Sequence, residues 1–276
     1  DTANNVERRL LRVEPGRILE LDRWALHRLR SVLAQATQAY EAYRFHDVFR
    51  LAYHYCVVDL SAGYLDALKD RLYTEGPDAP ARRCAQTAVY AILTALNKLL
   101  APILTVTTEE VWQVMRRMGL VEEPSVHLTR WPQPPGSAED EAFAARWATF
   151  LALREAVMKA LEVQRGRQVI HSSLEAQVTL VVRDPSMRRL CESYRATLAE
   201  AFVVSDVQVE AQPGTLSAGA EVPGLLEVRV ERALGAKCQR CWKYSAGVGA
   251  QPASPEVCER CAQAVSLYQR LRSQVS

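Results

Sequence analysis

The chain has 276 residues, 49% of them apolar and 24% charged, with a net charge of only +2. That is enough material for one large domain plus smaller modules, and it excludes a chain that acts as a polycation. No apolar run approaches the roughly 18 residues of a membrane span and no secretory signal is visible, so no membrane partner is expected.

The first 165 residues read as helices. Trp24, Leu26, Leu29, Leu33, Ala36, Tyr40 and Tyr43 recur at helical spacing and predict a helix over 21–43. A second helix is predicted over 45–73 on Val48, Leu51, Ala52, Tyr55, Val58 and Leu65, ended by Gly76-Pro77. A third runs over 81–100 through Val89, Ile92, Leu93, Leu96 and Leu99. A fourth starts near Thr107, where Thr107 and Glu110 have capping-box spacing. Four amphipathic helices with short connections make a bundle.

Pro132-Gln133-Pro134-Pro135-Gly136-Ser137 reads as a linker, followed by a long helix over 139–164. The apolar period then changes from 3.6 to 2. Leu174, Ala176, Val178, Leu180 and Val182 alternate as in a half-buried strand. Residues 185–200 look helical, and 202–209 and 226–230 look like further strands, giving a small α+β unit. The expected organisation is therefore mainly α. A lead-in occupies 1–20, a helical bundle 21–131, a linker and long helix 132–168, a small α+β domain 169–235 and a C-terminal module 236–276.

That module carries the strongest motif: Cys238, Cys241, Cys258 and Cys261, two C-x2-C pairs sixteen residues apart. Each pair lets two thiolates reach one ion from a tight turn, and two turns close a tetrahedron around Zn²⁺. With four sulfur ligands no position stays open for water, so the metal is structural and supplies folding energy to a segment too short for a core. Paired disulfides or free thiols are the alternative. Cys56, Cys84 and Cys191 lie in apolar, helical settings and read as buried thiols. An odd cysteine total beside a zinc pattern fits a reducing cytoplasm. From Ala236 to Ser276 six basic residues face two acidic ones. After four thiolates and one Zn²⁺ the module keeps about +2, a modest basic patch.

Lys237-Cys238-Gln239-Arg240-Cys241-Trp242-Lys243-Tyr244 sets an indole and a phenol among cations. Such a turn stacks unpaired bases while holding phosphates, or else Trp242 packs the knuckle against a neighbour. Elsewhere the bland readings are expected. The five histidines are structural, with His46 and His54 on roughly one helix face. The stripe Tyr40, Tyr43, Phe45, Phe49, Tyr53, Tyr55 is core. Lys69-Asp70-Arg71 is a solvated helix end, or a phosphate contact. No glycine-rich phosphate loop, H-E-x-x-H or G-x-S-x-G occurs.

Several segments together resemble bacterial isoleucyl-tRNA synthetases. Lys237-Cys238-Gln239-Arg240-Cys241-Trp242 with Cys258-Glu259-Arg260-Cys261 resembles their C-terminal zinc module. Ile170-His171-Ser172-Ser173-Leu174-Glu175-Ala176 is similar to their I-G-S-S-L-E-A stretch. Leu21-Asp22-Arg23-Trp24-Ala25-Leu26-His27, Val57-Val58-Asp59-Leu60-Ser61 and Lys69-Asp70-Arg71-Leu72-Tyr73 resemble their anticodon-binding helices. So do Glu109-Glu110-Val111-Trp112 and Ser125-Val126-His127-Leu128. The matches fall in family order over about residues 21–270.

The resemblance implies the tRNA-recognition part of an ATP-dependent isoleucine–tRNA ligase: an anticodon-binding helical bundle, a small α+β unit and a four-cysteine zinc module. Its partners would be the anticodon stem-loop of tRNA(Ile) and the catalytic and editing domains of the same enzyme, in a cytoplasmic monomer. The family's H-I-G-H and K-M-S-K-S signatures are absent here, so no catalytic residue is assigned, and ATP would bind only in the missing catalytic domain. The chain begins at Asp1 rather than Met and is read as a fragment or processed piece. RNA contact is carried over to Lys237, Arg240 and Trp242, with Lys243 and Arg260 added on charge. His171 stands where the family has glycine, which puts a tight-turn role there in doubt, and residues 1–17 do not match the family's lead-in helix. The alternative is a stand-alone zinc-ribbon module that binds RNA or protein. A repair glycosylase with a four-cysteine finger is disfavoured, because Asp1 offers no activated amine.

Overall fold

The computed structural model describes residues 13, 17–134, 139–211, 220–222 and 226–273. The expected lead-in over 1–20 and the centre of the expected linker thus fall largely outside the described residues. The chain divides into two compact units, one of residues 1–66 and 77–139, the other of 67–76 and 140–276.

In the first unit the apolar stripes build the expected helices. α1 (Glu20–Glu41) buries Trp24, Leu26, Leu29, Val32, Leu33 and Ala36 along one face. α2 (Phe45–His54) passes into a π-helical stretch (Tyr55–Tyr64), so the predicted second helix contains a wide turn that periodicity does not signal; the chain continues as α3 (Leu65–Thr74), whose residues from 67 on belong to the second unit. Polar groups lace α1 to the π-helical stretch. Tyr64 donates to the buried Asp22 carboxylate at 2.6 Å, Tyr55 donates to the Ala25 carbonyl at 3.1 Å, and Arg28 pairs with Asp59 at 2.8 Å.

α4 (Pro80–Leu100) starts with proline at its first turn, where the missing N–H has no intrahelical partner anyway. α5 (Thr105–Arg117) begins before Thr107, so the predicted capping box does not form. Leu104 is the cap residue, without a side-chain bond, and Thr108 donates back to the Leu104 carbonyl at 2.9 Å. Gly119 ends it at φ +70°, and Leu120 N–H reaches the Met115 carbonyl.

The aromatic stripe does not form core as a whole. Tyr55 is buried, but Tyr43, Phe45, Phe49 and Tyr53 are exposed. α2 carries two apolar rows: Val48 and Ala52 turn inward, while Phe45, Phe49 and Tyr53, spaced by four, share the outer face.

The second unit is built on α6 (Glu141–Gly166), capped by Asp140, whose carboxylate accepts from Phe143 N–H at 2.7 Å. Its four-stranded sheet has the order β2-β1-β4-β3: β1 (Ala176–Val182), β2 (Asp206–Ala211), β3 (Ala220–Val222) and β4 (Leu226–Arg232). β1 and β2 run parallel; β1–β4 and β3–β4 are antiparallel. The parallel step needs a crossover, and it is made by α7 (Pro185–Ser193) and α8 (Arg195–Ala201), which divide the single predicted helix at Tyr194. α6 covers the sheet. Phe150 packs 5.0 Å from Trp147 and 4.8 Å from Tyr194, ring centre to ring centre. His171 is not among the described residues in the left-handed region, so that position does not need glycine.

Phe150→Ala should therefore cost about 3–5 kcal/mol and lower the melting temperature, whereas Phe49→Ala should stay within about 0.5 kcal/mol. Thermal unfolding followed by circular dichroism checks the contrast.

Candidate metal centre and nucleic-acid surface

The first knuckle is the loop of a short hairpin, residues 238–243. β5 (Ala236–Lys237) pairs with β6 (Tyr244–Ser245), Cys238 N–H donates to the Lys243 carbonyl and Trp242 N–H to the Cys238 carbonyl, both at 2.9 Å. Gly235 enters this hairpin at φ +92°, and a Cβ there would lie 2.3 Å from the Ser245 backbone, so only glycine fits. The second knuckle leads from Cys258 into α9 (Glu259–Ser273), and Cys258 N–H donates to Cys238 Sγ at 3.3 Å.

The four Sγ atoms lie within 4.8 Å of one another. Cys238, Cys241 and Cys261 are buried, with Val248 and Val257 packed around them. Zn–S bonds of about 2.3 Å in a tetrahedron place sulfurs about 3.8 Å apart, and Cys241 and Cys258 stand 3.8 Å apart. The protonation chemistry fits the same ion. A hydrogen bond from the Cys261 thiol pulls the Cys241 pKa down to about 4, while that bond pushes Cys261 up and burial raises Cys258. Cys241 ionises readily, while Cys258 and Cys261 resist. A divalent cation supplies the charge that lets all four ionise, so the cluster is compatible with one structural zinc ion.

The five residues expected to contact RNA divide by their partners. Trp242 is 60% exposed, and Lys237 Nζ lies 5.7 Å from the centre of its ring. Trp242 holds φ +64°, a left-handed conformation that costs a bulky residue roughly 1–2 kcal/mol. The other three cations bond within the second unit. Lys243 donates to Asp70 at 2.8 Å, Arg260 to both Asp70 oxygens at 2.6 and 2.9 Å and to Glu75 at 3.0 Å. Arg240 donates to the Thr74 and Tyr73 carbonyls at the end of α3.

Asp70 and Arg71 are therefore not a solvated helix end. Arg71 is 4% exposed and pairs with Glu200 of α8 at 2.5 Å. Burial alone would raise the Asp70 pKa. The hydrogen bonds and charges of Arg260 and Lys243 outweigh it and hold the carboxyl well below the usual carboxylate range. Sequence reasoning missed this hub because Asp70 precedes its partners by more than 170 positions. On its far side the hairpin is also held, with Tyr244 N–H donating to Ser205 Oγ at 2.7 Å.

In the first unit, Arg44, Asp47, Phe49, Arg50, Tyr53 and His54 line an open cleft of about 620 Å³ with Gln35 and Gln38. Phe49 and Tyr53 stack with ring centres 5.9 Å apart. His46 and His54 are both exposed; His54 is one of the lining residues, and His46 Nε2 lies 3.3 Å from Asp47 Oδ1.

Residues 22–180, more than half of the chain, match the model of the anticodon-binding domain of tRNA ligases. The chain belongs to this anticodon-binding family. Residues 235–264 match the zinc finger found in FPG and IleRS, which coincides with the two knuckles. The isoleucine–tRNA ligase of Syntrophotalea carbinolica is 43% identical over 249 residues, covering 90% of this chain and 26% of that protein. That of Kosmotoga olearia is 40% identical over 252 residues, covering 91% and 27%. That of Carboxydothermus hydrogenoformans is 44% identical over 251 residues, covering 91% and 26%. The chain thus spans about a quarter of the length of the curated relatives it matches. Within the described residues of this family member, no helix is long and apolar enough to cross a membrane.

Chelation should remove about one zinc per chain and unfold the 236–273 segment, and Cys238→Ser should abolish stoichiometric binding, both read by metal analysis. Gly235→Ala should speed zinc loss to a colorimetric chelator by distorting the hairpin. Thiolate protonation should release the ion as pH falls.

Proposed function

We propose that this chain is the tRNA-recognition region of an isoleucine–tRNA ligase, and that it binds the anticodon stem-loop of tRNA(Ile). Adenylate formation, ATP binding and editing belong to other parts of such an enzyme, which works in the cytoplasm as a monomer. The observation that carries this reading is Trp242: a large apolar ring left in solvent, in a costly backbone conformation, with a cation over its face. Apart from the weak cation–π contact, a fold gains little from that arrangement, whereas an unpaired base stacked on the indole would cover the ring. Lys237 and Trp242 make the direct contacts. Arg240, Lys243 and Arg260 hold the turn in place, the charges of Lys243 and Arg260 being largely offset by Asp70 and Glu75. The aromatic cleft of the first unit, rimmed by Arg44 and Arg50, is a second surface of the same chemistry.

The chain should bind tRNA(Ile) with an affinity that falls as salt rises, because phosphate contacts release counterions. Trp242→Ala should weaken binding by about 1–3 kcal/mol with zinc retained. Filter binding across a salt series, with bulk RNA as competitor, measures both. A zinc-loaded Trp242→Ala protein with unchanged affinity, or equal competition by bulk RNA, would overturn this reading.

A further inference from the structure

Both zinc knuckles are tied to one helix end, largely through a single carboxylate. Asp70 lies on α3, four residues before that helix ends at Thr74. Lys243, two residues after Cys241, belongs to the first knuckle, and Arg260, between Cys258 and Cys261, belongs to the second. Asp70 accepts from both: from Lys243 Nζ and Arg260 Nη1 on Oδ2, and from Arg260 Nη2 on Oδ1. The carboxylate is itself braced, since Thr74 Oγ1 lies 2.8 Å from Asp70 Oδ1 and 2.7 Å from the Asp70 carbonyl. Arg240 completes the attachment on the Thr74 and Tyr73 carbonyls, where the negative end of the helix dipole favours a cation.

Trp242 sits between these ties, two residues after Arg240 and one before Lys243. Zinc coordination does not need the carboxylate. Four sulfurs, the hairpin bonds and the Cys258 N–H bond to Cys238 are complete without it. What the carboxylate adds is direction, because a forked Arg260 pair and a Lys243 bond on the same two oxygens fix both knuckles in angle as well as distance.

We propose that Asp70 is a positioning residue for RNA recognition, setting the direction in which the Trp242 indole is presented by holding Lys243 and Arg260 against α3. It does not itself meet RNA, and the proposal rests on Trp242 being the base-stacking residue. The test compares the unmodified chain with Asp70→Asn, each labelled with 5-fluorotryptophan, with the Trp242 resonance assigned through Trp242→Phe. In Asp70→Asn, zinc should remain at one per chain. The Trp242 fluorine signal should shift and broaden, while those of the buried Trp24, Trp112 and Trp147 stay in place. Trp242→Ala should cost about tenfold in tRNA affinity in the unmodified chain, and less than twofold in the Asp70→Asn background.

An unmoved Trp242 signal, or an equal tenfold loss in both backgrounds, would overturn the proposal. If Asp70→Asn loses zinc, Lys243→Met decides with the same readouts, since it keeps the Asp70–Arg260 pair. If the unmodified chain fails to bind tRNA, the function proposed above fails, and the fluorine signal still decides whether Asp70 orients the indole.

Discussion

Four sulfurs within 4.8 Å of one another form the centre of a segment that buries little else. Two valines and a helix flank cannot offset the entropy of ordering some forty residues, at about 1–2 kcal/mol each for the backbone alone. The segment is ordered because mutually repelling thiolates have one shared solution, a cation at their centre. Once the knuckles are rigid, the short hairpin, the cations beside each cysteine and the outward indole acquire fixed positions. A rigid module that was not anchored would still leave that indole undirected, and the α3 end with Asp70 and Glu75 supplies the anchor.

The helices and the zinc cluster were legible in the sequence because both rest on short-range rules. Apolar spacing near 3.6 located α1 and α4 to within two residues, and C-x2-C spacing defined a tetrahedron before any coordinates. What stayed hidden was long-range or two-sided. Asp70 looked like a surface charge because its cations arrive at 243 and 260. Phe45, Phe49 and Tyr53 looked like core because periodicity reports a row of apolar side chains and not which row faces inward. The break at Tyr194 escaped notice for a related reason. Its ring fills the space beside Trp147 and Phe150, a tertiary demand that overrides local helix preference.

The net charge of the module's own sequence is not the charge it presents. Six cations and two acids lie from Ala236 onward, and another stretch of chain supplies further carboxylates. Asp70 and Glu75 neutralise much of the field near the second knuckle. Nucleic-acid affinity estimated from the net charge of a segment therefore overstates the cations available to phosphates whenever those cations also fasten the segment to its support.

Under the proposed function, the left-handed backbone at Trp242 sets recognition and thermal robustness against each other. Asparagine or glycine would occupy φ +64° with less strain. Directed evolution for heat resistance alone would tend to erase the indole, so a library screened only on residual folded protein would enrich variants that survive boiling and no longer discriminate a nucleic acid. A ring held there despite the strain is what the proposed stacking role requires.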